Sequence, residues 1–178
     1  ITSILLSFFI LVSIVSYSSF DPNIYNLNGY KISNLGGYIG ANLSEILLQF
    51  FGYCSFLICV VLIGWSYKLF FVKNLELFAL NLLLLPITVF LFSLIIELLN
   101  IPILNGFIAK ELTLLINNTG IVLNNYIFYI GLVFLIGIFL TSFYFALGLN
   151  INEWKRLTVF LFSFLKKIVL AVTWLVSL

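Results

Sequence analysis

Residues 16–52 read SYSSFDPNIYNLNGYKISNLGGYIGANLSEILLQFFG, a polar, glycine-punctuated stretch that runs straight into a long apolar segment. Its Ser, Asn, Asp, Pro and Gly residues belong to a chain leaving a membrane and re-entering it. Backbone groups in such a loop need water or protein partners that lipid cannot provide. The flanks are oily on both sides.

Across the 178 residues, 63% are hydrophobic and 8% charged, and the mean hydropathy is +1.26. A water-soluble chain of that composition would not stay in solution, so the sequence specifies an integral membrane protein. A span needs about 20 apolar residues. Four segments approach or meet that length: Ile1 to Tyr17, Ile46 to Tyr67, Leu77 to Ile96 and Ile127 to Leu147. The expected fold is all-α, a four-helix transmembrane bundle of two parallel hairpins over residues 1–148, with residues 149–178 forming an amphipathic helix and the start of a cytoplasmic linker. Ile1 lies inside an apolar run without an initiator Met or a basic flank, which predicts a truncated span rather than a signal peptide.

The basic residues set the orientation. With the N-terminal side cytoplasmic, Lys68, Lys73, Lys155, Arg156, Lys166 and Lys167 lie inside, and Lys31 and Lys110 outside. The excess of Lys and Arg on the cytoplasmic side obeys the positive-inside rule, and the inverted topology would violate it. A net charge of +2, distributed along membrane edges, offers no basic stripe for nucleic acid. Cys54 and Cys59 point about 140° apart on a helix and cannot bridge one another there.

The two hairpins resemble each other. Gly37, Tyr38, Ile39, Gly40, Leu43 and Ser44 align with Gly106, Phe107, Ile108, Ala109, Leu112 and Thr113 at a constant offset of 69. Residues Leu104 to Asn117 read as a short outside helix, with Asn117, Asn118 and Gly120 supplying its exit.

The final 22 residues, Leu157 to Leu178, admit two readings. Two mid-segment lysines cost roughly 5 to 7 kcal/mol on insertion, and fourteen Leu, Ile, Val and Phe residues return roughly 4 to 8. Periodicity separates the readings better. Lys155, Arg156, Ser163, Lys166, Lys167, Thr173 and Ser177 share one arc of about 120°, opposite Phe160, Leu161, Phe164, Leu165 and Ile168. A helix on the inner leaflet, with Lys155, Arg156, Lys166 and Lys167 on anionic headgroups, fits this pattern better than a fifth span.

Chemistry-bearing motifs are scarce. The chain has no His, no phosphate-cradling Gly-x-x-x-x-Gly-Lys-Ser/Thr loop and no cysteine pair at metal spacing. Asp21, Glu45, Glu76, Glu97, Glu111 and Glu153 all fall at or near span ends, so no mid-membrane charge marks an ion path. Pro86 is expected to kink the third span. Gly36 and Gly40 form a Gly-x-x-x-Gly pair that could allow a close helix contact, although glycine is needed for the turn there anyway. Neither catalytic nor metal-binding residues, nor any cofactor, are expected in this segment.

A first span ending in Ser16-Tyr17-Ser18, then Asp21-Pro22, then Asn34-Leu35-Gly36-Gly37 with Gly40-Ala41 opening the next span, resembles the N-terminal four-helix transmembrane domain of the FtsK/SpoIIIE family of bacterial DNA translocases. The likeness extends along the whole chain, and the inside segment with Trp154 resembles the helix that closes that domain. The second outside segment departs from the pattern, with Asn105, Gly106 and Ala109 where the family tends to place a double glycine and another glycine three residues on. The resemblance implies a non-catalytic anchoring and assembly domain in cell division and chromosome segregation, in the bacterial cytoplasmic (inner) membrane at the division septum. It implies other division proteins, membrane lipids and further copies of the chain, as a hexamer, as partners, with no direct nucleic-acid contact. ATP and Mg are implied only for a cytoplasmic motor beyond these residues. The outside loop, through Asp21, Pro22, Asn34, Leu35, Gly36, Gly37 and Gly40, is the expected partner surface. The alternative is a small multi-span transporter or channel subunit, which would need polar groups at mid-span; Ser55, Asn81 and Thr88 are the weak candidates.

Overall fold

The computed structural model describes residues 2–25, 31–71, 75, 77–101, 106–118, 125–156, 158–159, 162–163 and 166. Among them the chain is helical and contains no strand. It forms two compact units, Ile1–Gly148 and Leu149–Leu178. Among the described residues the first holds six α-helices: α1 (Thr2–Val15), α2 (Gly37–Phe51), α3 (Phe56–Phe71), α4 (Phe78–Leu98), α5 (Phe107–Asn118) and α6 (Asn125–Leu147). Helices α4 and α6 are long and apolar enough to cross a bilayer, and α1 is a shorter apolar helix.

Glycine decides where the second apolar run breaks. Residues Gly37–Phe71 are helical for 35 residues, about 52 Å if straight, against a hydrocarbon core of about 30 Å. Gly52 interrupts them with φ 62° and ψ −155°, a backbone region essentially closed to residues with a side chain. A 3-10 turn, Gly52–Ser55, then leads into α3. The segment read as one span over residues 46–67 is thus the end of one helix, an elbow and most of another, and the helical structure begins at Gly37, inside the stretch expected to be loop.

Apolar burial cannot hold helices together in a solvent that is itself apolar, so small and hydroxyl side chains do the pairing. Antiparallel α1 and α3 are registered by Ser66 Oγ donating to Ser3 Oγ (2.9 Å) and Ser7 Oγ donating to the Cys59 carbonyl (3.0 Å). Antiparallel α4 and α6 are registered by Thr88 Oγ1 donating to Ser142 Oγ (3.2 Å) and by the Phe92 and Phe139 rings, 5.2 Å apart. Cys54 and Cys59 are buried and not disulfide-bonded.

The two halves repeat one plan: helix, short helix, helix. Helices α3 and α6 begin 69 residues apart, at Phe56 and Asn125, the offset seen in the sequence. Helix α1 packs on α2 and α3, α4 packs on α5 and α6, and α2 meets α5 between the halves. That meeting is tight at Gly106, where an added Cβ would lie 2.3 Å from the Phe50 carbonyl oxygen and 2.4 Å from the Phe51 nitrogen. Glycine at 106 is a packing requirement.

At the opposite end, α3 caps α6. Trp65 Nε1 donates to the Ala146 carbonyl (2.7 Å), and Lys68 Nζ donates to the carbonyl of Gly148. The last carbonyls of a helix lack intrahelical partners and carry partial negative charge, so a cation there is doubly satisfied. Lys68 is 1% exposed.

In the second unit, residues 151–156 are helical. The Asn150 amide donates to Glu153 Oε2 (2.7 Å) while the Glu153 amide donates to the Asn150 carbonyl (2.9 Å), which stabilises the start of the helix.

Candidate functional site

The loop between α1 and α2 is organised by one buried carboxylate. Asp21 accepts from the Ser33 amide (2.8 Å), Ser33 Oγ (2.7 Å) and the Asn34 amide (2.9 Å), which holds Ser33 and Asn34 against the start of the loop. Burial alone would raise the Asp21 pKa. The Ser33 hydroxyl and the two amides outweigh that effect and hold it below the ordinary value of 3.8.

Asn34 carries the turn onto the bundle. Its Nδ2 donates to the Ser13 carbonyl (2.9 Å) and to Ser44 Oγ (3.4 Å), tying α1, loop and α2 together, and its Oδ1 accepts from the Gly36 amide (2.8 Å). The Leu35 amide donates to Ser16 Oγ (3.0 Å). Gly36 and Gly40 make this approach possible: a Cβ at Gly36 would lie 2.5 Å from Ser13 Oγ, and one at Gly40 2.6 Å from Asn34 Oδ1. A second knot sits beside the first. Glu45 accepts from Asn23 Nδ2 (3.2 Å) and from Gln49 Nε2. Asn42 Oδ1 accepts from the Ile24 amide (2.8 Å).

Asp21, Asn34 and Gly40 are therefore buried, Pro22, Gly36 and Gly37 half-buried, and Leu35 is 79% exposed. Of the seven expected contact residues, Asp21 and Asn34 touch directly, Gly36 and Gly40 close on Asn34, and Leu35 alone projects fully. The surface this frame displays includes four large apolar side chains, Phe20, Ile24, Tyr25 and Leu35, all exposed, beside exposed Ser19, Lys31 and Ser33. Sequence reading missed Ser13, Asn23, Ser33, Ser44 and Glu45 as the frame. Their signal was the density of Ser and Asn around Asp21, which marks side-chain to backbone bonding without naming the partners.

In the second unit, Lys155 and Arg156 are exposed and line a shallow groove with Val159 and Ser163; Lys166 is also exposed. Lys167 lies outside the described residues.

The depressed Asp21 pKa has a signed consequence. A carboxylate whose folded pKa lies below its unfolded one stabilises the fold fully above the unfolded value, and that contribution is lost as pH falls through the folded value. The difference in thermal midpoint between wild type and Asp21→Asn in nanodiscs is expected to be flat above about pH 5 and to shrink below about pH 4.

No solved structure matches the chain. Residues 1–154 match the family described as the 4TM region of DNA translocase FtsK/SpoIIIE, whose named four transmembrane segments agree with an all-helical bundle built from two antiparallel pairs. With most of its length in that match, the chain belongs to the family of FtsK/SpoIIIE 4TM regions.

Proposed function

We propose that this chain is the anchoring and assembly segment of a DNA translocase acting in cell division and chromosome segregation, without catalysis of its own. Membership in the 4TM family over residues 1–154 carries the reading, since that region is the membrane-embedded part of such translocases. Both chain ends of the bundle face the cytoplasm, and the loop of residues 16–36 faces outward at the division septum. ATP and Mg belong to a motor outside these residues.

Division proteins are the partners of the loop. Its buried polar frame pre-shapes Phe20, Ile24, Tyr25 and Leu35, so binding orders little that is not already ordered. Copies of the chain associate through lipid-facing helix surfaces to match a hexameric motor. Lys155, Arg156, Lys166 and Lys167 hold the following segment to anionic lipid.

The test is a full-length variant in which Phe20, Ile24 and Leu35 become serine. Each is expected to cost about 2 kcal/mol of partner affinity if it is a hot spot, so septal localisation and co-purification of division proteins should both be lost at unchanged membrane content. Unchanged localisation and co-purification would overturn the reading.

A further inference from the structure

Helix α2 has an exposed face that the anchoring reading does not use. Its 15 residues contain one charged side chain, Glu45, which is buried. The other polar side chains are satisfied within the protein: Asn42 Nδ2 donates to the Tyr38 carbonyl (2.7 Å), Ser44 Oγ donates to the Ala41 carbonyl (3.1 Å), and Gln49, itself exposed, donates to Glu45. Among the exposed residues are Tyr38 (51%), Ile39 (72%) and Phe50 (39%). A helix bathed in water would carry charges on that side, as α5 does with exposed Lys110 and Glu111.

The depth of α2 follows from the hydrogen bonds of its neighbours. Ser7 on α1 is level with Cys59 on α3, and the helices are antiparallel. Ser13, six residues further along α1, is therefore near the level of Tyr53, six residues back from Cys59 through the head of α3 and the 3-10 turn, whose slightly greater rise shifts the match by only about 1.5 Å. Yet Ser13 also meets the other end of α2: a Cβ at Gly40 would lie 2.8 Å from Ser13 Oγ. So the first turn of α2 and the residue two places past its end share one depth. A helix of 15 residues, about 21 Å long, can begin and end at one depth only by running across the bundle rather than along it. The elbow at Gly52 supplies the turn.

We propose that α2 is an interfacial lipid-binding helix. It lies in the plane of the membrane at the headgroup and acyl boundary of the leaflet on the loop side, with Tyr38, Ile39 and Phe50 in lipid. The lipid surface is the occupant because this face continues the exposed apolar surface of the spanning helices: Tyr53, 45% exposed and near the level of Ser13, stacks on Phe56 at the head of α3. Tyrosines at that depth match the aromatic zone of the interface. This rests on the chain spanning a membrane and is independent of the division role.

The test uses full-length protein with Ile39→Cys carrying a nitroxide, in vesicles of phosphatidylethanolamine and phosphatidylglycerol, with buried Cys54 and Cys59 retained. Oxygen should relax the label far more than a water-soluble nickel chelate, placing it about 5 to 10 Å below the phosphates, while the same label at Lys110→Cys reads as aqueous. A second variant, Phe50→Cys, should read like position 39. Nickel accessibility at positions 39 and 50 equal to that at 110 would place the face in water. Protection from both oxygen and nickel would mean that protein covers it. Either result overturns the proposal, and neither bears on septal localisation.

Discussion

Gly106→Ala is expected to destabilise the bundle by about 3 kcal/mol, the upper end of what an overpacked methyl group costs. The magnitude follows from what the methyl would strike. Its nearest neighbours are the Phe50 carbonyl group and the Phe51 nitrogen, all backbone, so no rotamer change can make room. Nor can that backbone retreat easily, because it leads into Gly52, whose dihedrals are already those of a forced elbow. Relief requires α5 to back away from α2, loosening the contact between the two halves. Gly137→Ala in α6 is the matched control: nothing lies within 4 Å of its added Cβ, and the better helix propensity should contribute up to about 1 kcal/mol. Denaturant unfolding in detergent micelles measures both, and equal effects would refute the assignment.

Asp21→Ala should be nearly as severe, at about 2 to 4 kcal/mol, since it removes a charge-assisted acceptor and leaves the buried Asn34 amide and the Ser33 donors without it. Its consequence is not uniform. The loss should concentrate in residues 31–44, where Asn34 would no longer be held against Ser13 and Ser44. Hydrogen exchange of those amides should speed up while the α4–α6 pair stays protected. Asp21→Asn should lie between the two, because an amide oxygen still accepts but carries no charge. Uniform acceleration across all helices would mean that the carboxylate supports the whole bundle rather than the loop.

The reasons for success and failure in the sequence differ by residue. Helices α4 and α6 were legible because lipid demands long uninterrupted apolar runs, and composition alone reveals those. The offset of 69 was legible at Gly37 and Gly106 and recurs in the starts of α3 and α6, since the same plan is used twice. Helix α2 was not legible as a separate element. Its apolar residues merge with those of α3, and only the backbone dihedrals of Gly52 reveal the break. Asp21 and Asn34 stood out by type and spacing, but their burial did not: a loop rich in Asn and Ser reads as wet whether its side chains face water or one another. Lys68 was read as an orientation charge because its acceptor, the Gly148 carbonyl, is 80 positions away.

The capping of α6 by α3 bears on how the anchor takes load. Among the described residues of α6, only Ser142, Ala146 and Leu147 are buried, so its contacts with the rest of the bundle are concentrated toward its end. Trp65 and Lys68 grip its last carbonyls at the point where the chain leaves the bundle. A displacement of Gly148 is therefore resisted by α3 and, through the serine contacts of α3, by α1. The end of α6 is rooted in several helices, so two hydrogen bonds add to the hydrophobicity of the span in holding it.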